Sequence, residues 1–267
     1  MNREEKIAVF QPCLDKFETD EVKLWLEDMI EQIPDYIFDM PSSTTGKHHN
    51  KTQCLPHGQI YHIIMFFAIA DYRLGLKYNK ERKFPEARIR DGIRCVAILH
   101  DALKCGDGKT SFTVHEHPLL AAEWVRTANV EHDIDEELKD FIADMCAAHS
   151  GEWTTAKRGS KTILPEPQIE AEIFVHECDY LSSRNNIDMD IPEYLHDIFS
   201  KSDKEKIDLF DLDNYVLSFG RHKGQKLIDV YNSTPDYVAW LDENISRRDV
   251  KEAIAALKKK IDEDDDL

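Results

Sequence analysis

The sequence predicts an all-α protein: a helical bundle followed by a small C-terminal module, α+β or mostly helical. Two observations carry the expectation. From residue 17 to residue 181, apolar residues recur at three- and four-residue spacing in successive segments. Prolines fall at the ends of those segments, as at Pro34, Pro56 and Pro118, where a missing N–H does least harm.

Residues 1 to 38 read as helical. Within them Val22, Leu24, Trp25, Met29 and Ile30 form an apolar stripe, Thr19 is placed to cap it, and Pro34 ends it. Residues 57 to 76 form a second helix, with His57, Tyr61, Ile64, Ala68 and Tyr72 on one face and Ile63, Phe66, Phe67 and Ala70 filling out a mostly buried cylinder. Residues 89 to 104 form a third. There Ile93, Val96, Ala97 and His100 share a face, with Lys104 one turn further on and Asp101 adjacent. Helices over 118–128 and 135–149 follow, the first headed by His117-Pro118 and the second ending at His149 before Ser150-Gly151. Over 169–181, Ala171, Val175 and Asp179 align at spacing four. A domain boundary is expected near residues 200–206, giving a first domain over 1–200, a module over 207–261 and an acidic, disordered tail over 262–267.

Composition narrows the function. The 267 residues are 42% hydrophobic and 32% charged, the profile of a soluble globular protein with material for a sizeable core. No apolar run is long enough to span a bilayer, and the first 30 residues lack a signal-type apolar core, so a cytoplasmic protein with no membrane partner is expected. Six cysteines without regular spacing read as reduced thiols, with Cys95, Cys146 and Cys178 as small core residues. The net charge of −18 argues against broad duplex binding, which needs a basic face.

The chemistry lies at the helix ends. His57, His100-Asp101, His117, His149 and Asp179 each sit at or near the end of a mostly apolar helix. Burying such groups is costly unless something pairs them, and imidazoles with carboxylates are ligands for Fe, Mn, Co or Zn, with Mg possible. Four His and two Asp exceed the needs of one metal with open positions. Two divalent ions sharing Asp101 would divide the set, clamp a phosphoryl oxygen and activate water.

That order of residues, over roughly 40–181, resembles the HD-domain metal-dependent phosphohydrolase superfamily in its binuclear form. The resemblance implies that His57 is the first ligand. It makes His100-Asp101 the doublet with Asp101 bridging and taking a proton from water, and His117 and His149 the two extra histidines. Asp179, within VHECDYLSS, would be the last ligand. It also implies that Lys104 holds a substrate phosphate. His115 competes with His117, and His176 with Asp179; His132-Asp133 and His196-Asp197 are read as chance surface dipeptides. The implied activity is hydrolysis of a phosphate ester of a nucleotide, a cyclic nucleotide or a nucleic-acid end. Similar ligand sets occur in di-iron oxygenases, and a nucleic-acid-binding protein with a vestigial site is a further alternative.

Two other stretches bear on substrate. The loop PSSTTGKHHN (41–50) lacks the first glycine of a nucleotide-triphosphate loop and has His48 after Lys47. It resembles a segment that precedes the first ligand in some HD-domain proteins of bacteria and phages, which brings Lys47 and His49 toward the active-site rim; a phage protein would act in the host cytoplasm. The stretch LSFGRHKGQKLIDVYNSTPDYVAWL (217–241) resembles a module at the end of some DNA exonucleases. Arg221, Lys223 and Lys226 stand near Tyr231, Tyr237 and Trp240, a pattern suited to single-stranded nucleic acid, although Trp240 is expected in the module's own core. The sequence leaves the oligomeric state open.

Overall fold

The computed structural model describes every residue except 44–48, 107, 109, 111, 157, 158, 188, 209, 246, 266 and 267; the side chains of 202, 204–208, 248 and 262–265 also lie outside the description. The fold is all-α. Among the described residues there is no strand, only two isolated antiparallel bridges, Thr155 with Ile163 and Val216 with Lys226. No described helix is long and apolar enough to cross a membrane. The chain forms two compact units, residues 1–190 and 191–267.

The first unit contains α1 (Arg3–Leu14), α2 (Asp20–Gln32), the short α3 (Tyr36–Asp39), α4 (Gly58–Gly75), α5 (Ala87–Leu99), α6 (His117–Thr127), α7 (Glu136–Ala148) and α8 (Glu170–Ser182). Its axis is α5, which packs against α2, α4, α7 and α8. Every residue from Arg90 to Leu99 is buried. The apolar ones explain themselves, each large side chain contributing roughly 1.5–3 kcal/mol by leaving water. The charged ones are paired. Glu18 accepts from Arg90 at 2.6 and 2.7 Å and from Arg94 at 3.0 Å, while Asp71 and Asp91 take the other donors of Arg94. Asp91 also accepts from the backbone N–H groups of Glu18 and Thr19 and from the Thr19 hydroxyl. Thr19 therefore holds the N-cap position of α2, but its side chain makes no cap; a carboxylate from α5 serves that helix end instead.

The expected helix over 89–104 stops early. α5 ends at Leu99, and His100 to Lys104 continue as tighter turns, with Ala102 N–H on Leu99 O and Lys104 N–H on Asp101 O. α4 starts with a sharp bend. His57 adopts φ +62°, and the following Gly58 lies so close to the Gln53 carbonyl that no Cβ could fit.

The second unit contains α9 (Glu193–Asp208), α10 (Leu227–Ser233), α11 (Pro235–Asn244) and α12 (Arg248–Asp265). The boundary expected at 200–206 falls inside α9, because Leu195 and Phe199 are buried and α9 packs against α12. The core of this unit includes Leu227, Val230, Val238, Leu241, Ala253 and Ile254. Residues 262–265, expected as a disordered tail, continue the backbone of α12. The module is mostly helical rather than α+β. All six cysteines are free, and Cys95, Cys146 and Cys178 are buried as expected of core residues.

Candidate metal centre

Four imidazoles and two carboxylates meet inside the first unit. His62 comes from α4, His100 and Asp101 from the end of α5, His117 from the first residue of α6, His149 from the end of α7 and Asp179 from α8. The imidazoles form two pairs. His62 Nε2 lies 3.3 Å from His100 Nε2, and His117 Nε2 lies 3.3 Å from His149 Nε2. Asp101 stands between the pairs. Its Oδ1 is 3.0 Å from His117 and 3.8 Å from His149, and its Oδ2 is 3.4 Å from His100 and 3.8 Å from His62. Asp179 Oδ1 is 3.0 Å from His62 and 3.8 Å from His100.

Hydrogen bonding fixes which nitrogen faces inward. The Nδ1 atoms of His100, His117 and His149 lie on the carbonyl oxygens of Ala97, Val114 and Cys146, and a carbonyl can only accept. Each Nδ1 therefore carries a proton. Ser182 donates its hydroxyl proton to Asp179 O, so its oxygen accepts from His62 Nδ1. All four rings thus turn Nε2 toward one another. Facing lone pairs at this distance repel unless a cation lies between them and the carboxylates, and anchored Nδ1–H groups are the usual support of metal-ligating histidines. The donor set fits a metal ion: His62, His100 and Asp179, and likewise His100, Asp101 and His149, bring ligand atoms within 4.8 Å of one another.

Electrostatics follow the same division. Burial would raise the Asp101 carboxyl, but the charges of Lys104 and His100 hold it well below its usual range. Asp179 is held down in the same way, against burial, by His62. Burial lowers His149 to about 3, helped by His100 and His117. His62 is lowered by burial, whereas at His100 the carboxylates of Asp101 and Asp179 outweigh burial and raise it.

Lys104 is nearly buried beside this cluster. Its Nζ donates to Asp101 Oδ2 at 2.6 Å, to Gln59 Oε1 at 2.9 Å and, weakly, to Ser42 Oγ at 3.5 Å. Gln59 closes a triangle by donating from Nε2 to Asp101 Oδ2 at 3.0 Å.

The structure brings together His100, Asp101, Lys104, His117, His149 and Asp179 but not His57. The His57 ring donates from Nδ1 to Phe38 O at 2.6 Å, at the left-handed turn that starts α4. The place assigned to it belongs to His62, five residues later. The face shared with His57 turns outward toward its far end, where Ala68 and Tyr72 are exposed, while His62 sits on the buried side one turn from Phe66. A lone imidazole within the most apolar face of that helix was the available signal. Gln59 was also missed. His115 lies elsewhere, with Nε2 on Thr162 O, and His176 Nδ1 supports His149 through its backbone carbonyl. His132, His196, Asp133 and Asp197 are exposed.

A cavity of about 520 Å³ opens over the cluster, a size suited to a small organic ligand. Ser42, Ser43 and His49 line one part of it, and Trp153, Tyr180 and Arg184 line another. His49 is bonded to Gln53 and lowered to about 4 by burial and by His62. Lys47 lies outside the described residues. In the second unit Arg221, Lys223 and Lys226 are exposed around the 221–224 turn. Trp240 is not in the core: it is 48% exposed and stacks on Tyr237, because Val238 and Leu241 already occupy the buried stripe of α11.

Comparison of the chain with models of known protein families, with curated proteins and with solved structures found no match. Fold and site together define an all-α protein with a buried His/Asp cluster that could hold a metal ion.

Proposed function

We propose that the chain is a metal-dependent phosphohydrolase acting on a phosphate ester of a nucleotide, a cyclic nucleotide or a nucleic-acid end. The observation that carries this reading is the pairing of inward Nε2 atoms across the two oxygens of Asp101, at the base of an open cavity. His62, His100 and Asp179 would hold one divalent cation, His117 and His149 a second, and Asp101 both. Such cations, Fe, Mn, Co, Zn or Mg, supply Lewis acidity that acidifies water and withdraws charge from a phosphoryl oxygen.

The residues of the chain do the rest. Asp101 has both oxygens engaged, one of them by Lys104 and Gln59, which suits it to hold cations rather than to take a proton. Asp179 fixes His62, and the four Nδ1–H anchors fix the rings. Lys104 brings a positive charge to the cavity, and its weak bond to Ser42 is the one a phosphoryl oxygen would replace, compensating charge in the transition state. The same donors would suit a di-iron oxygenase. Ser42, Lys104 and Arg184 in the cavity wall favour an anionic ester over an apolar organic substrate.

Asp101→Ala tests the reading. Metal content per chain and phosphate release from a panel of nucleotides, cyclic nucleotides and oligonucleotides should both collapse while helical content is retained. Unchanged turnover in this variant would refute the proposal. One feature favours a nucleic-acid end among the three substrates: half-exposed Trp240 stacked on Tyr237, which also meets His222 of the basic turn at 4.7 Å. Trp240→Ala should then weaken turnover of an oligonucleotide end and leave a mononucleotide untouched.

A further inference from the structure

The cavity has a second chemistry that the cluster does not use. Trp153 and Tyr180 both line it, both are partly open to solvent at 51% and 38%, and their rings stack with planes 10° apart and centroids 5.6 Å apart. The Arg184 guanidinium lies 4.0 Å from the centre of the Tyr180 ring, so the stack carries a cation on its edge of the cavity. A tryptophan needed only for packing would be buried; this one keeps half its surface free at a cavity mouth.

Its position is tightly held. Trp153 follows the cluster residue His149 by four residues, through a turn in which Gly151 N–H bonds Ala148 O and Trp153 N–H bonds Ser150 O. Gly151 takes φ +62°, and any Cβ there would collide with the His176 ring, 2.1 Å from its Cε1. Beyond Trp153, Leu164 N–H bonds Thr154 O and Thr155 bridges Ile163, closing the base of the loop. Tyr180 directly follows Asp179 on α8. Each stacking ring is thus tied covalently, at short range, to a residue of the candidate metal centre.

We infer that Trp153 and Tyr180, with Arg184, form a stacking subsite for the planar heterocyclic base of a nucleoside phosphate whose phosphate lies toward Asp101 and Lys104. The inference rests on the phosphohydrolase reading for the orientation of the ligand. It narrows the substrate class to esters that carry a base and names Trp153 as a specificity-determining residue. A base offers a π-face to such a platform whatever its hydrogen-bonding edge, so the subsite selects nucleosides over plain sugar phosphates more strongly than one base over another.

The test uses the full chain with metal and compares adenosine 5′-monophosphate with ribose 5-phosphate, which lacks the base. Trp153→Ala should raise KM for the nucleotide about tenfold, leave kcat and metal content near wild type and change KM for ribose 5-phosphate less than twofold; Trp153→Phe should retain most of the discrimination. Equal KM changes for the two esters, or none, would overturn the subsite. Binding gives a readout independent of turnover. In a Trp240→Phe background, adenosine 5′-monophosphate should quench tryptophan fluorescence, and adding Trp153→Ala should abolish the quenching. Quenching with no phosphate released from either ester would keep the subsite and refute hydrolysis of a phosphomonoester. Phosphate release with no quenching would do the reverse.

Discussion

His62 and His100 face each other across 3.3 Å with their Nε2 atoms inward, and neither can turn away, because each Nδ1–H is spent on an oxygen behind it. The pair comes from α4 and from the end of α5, in apolar surroundings: Phe66, one turn after His62, lies edge-on to the His100 ring at 5.0 Å. An arrangement that places two lone pairs head to head in a dry interior is poor for an empty protein and good for one that holds a cation.

His62→Ala should therefore lower metal affinity by more than the roughly 10–100-fold typical of losing a supporting hydrogen bond. His57→Ala should leave metal stoichiometry unchanged and cost about 1–2 kcal/mol of stability, since it removes the bond to Phe38 O and keeps a left-handed residue with a Cβ. His57→Asn should recover part of that loss because Asn tolerates the left-handed region. Metal analysis and thermal unfolding of the three variants decide the matter. Metal lost in His57→Ala but kept in His62→Ala would reverse the assignment.

Gln59→Leu should separate positioning from ligation. Gln59 is fully buried and joins Asp101 to Lys104, so the variant leaves both with an unmatched polar contact. A loss of about 1–3 kcal/mol is expected in denaturant unfolding, together with slower turnover at unchanged metal stoichiometry. Wild-type turnover would show that Lys104 and Asp101 need no third partner.

Glu18 sets a pH dependence. Hydrogen bonds from Arg90 first, and then Arg94, hold its carboxyl at about 2, against an ordinary value of 4.5. A depressed carboxylate contributes stability that is present above pH 4.5 and is lost as pH falls toward 2. Glu18→Gln should cost about 1–2 kcal/mol at neutral pH, trimmed by the water that reaches its outer edge, and the gap to wild type should close over that acidic window. Tm measured from pH 7 to pH 2 checks it; a gap that widens on acidification would exclude the assignment.

Gly151→Ala should destabilise by about 1–3 kcal/mol, from positive φ and collision with the His176 ring. Because His176 donates to the His149 carbonyl, the same change should weaken metal binding although residue 151 touches no metal. Adding His176→Ala should restore part of the stability by clearing the space. No recovery in the double variant would place the strain in the backbone alone.

Much of this was legible from spacing. The apolar stripe from Val22 to Ile30 lies in α2, and the helices over 57–76, 118–128, 135–149 and 169–181 appear with ends shifted by a few residues, since apolar periodicity reports a face more sharply than a terminus. His100, Asp101, His117, His149 and Asp179 were legible because each stands where an apolar row stops. His62 was not, because it interrupts such a row, and polar residues inside a buried face register only once the opposing helix is known. Glu18, Asp91 and Gln59 were invisible for a related reason: apart from Arg94, three residues after Asp91, their partners lie 42 to 76 residues away, and no local pattern marks them. The boundary at Asp190 was missed because charge runs signal solvent, whereas Leu195 and Phe199 decide which unit α9 joins.

α5 is buried from Arg90 to Leu99, and that has a kinetic consequence. A stretch of helix with no face toward water cannot open alone, so the amides from Ile93 to Leu99 are expected to exchange with solvent only when the first unit unfolds. His100 and Asp101, which would do the chemistry, thus follow directly on the part of the molecule expected to exchange most slowly.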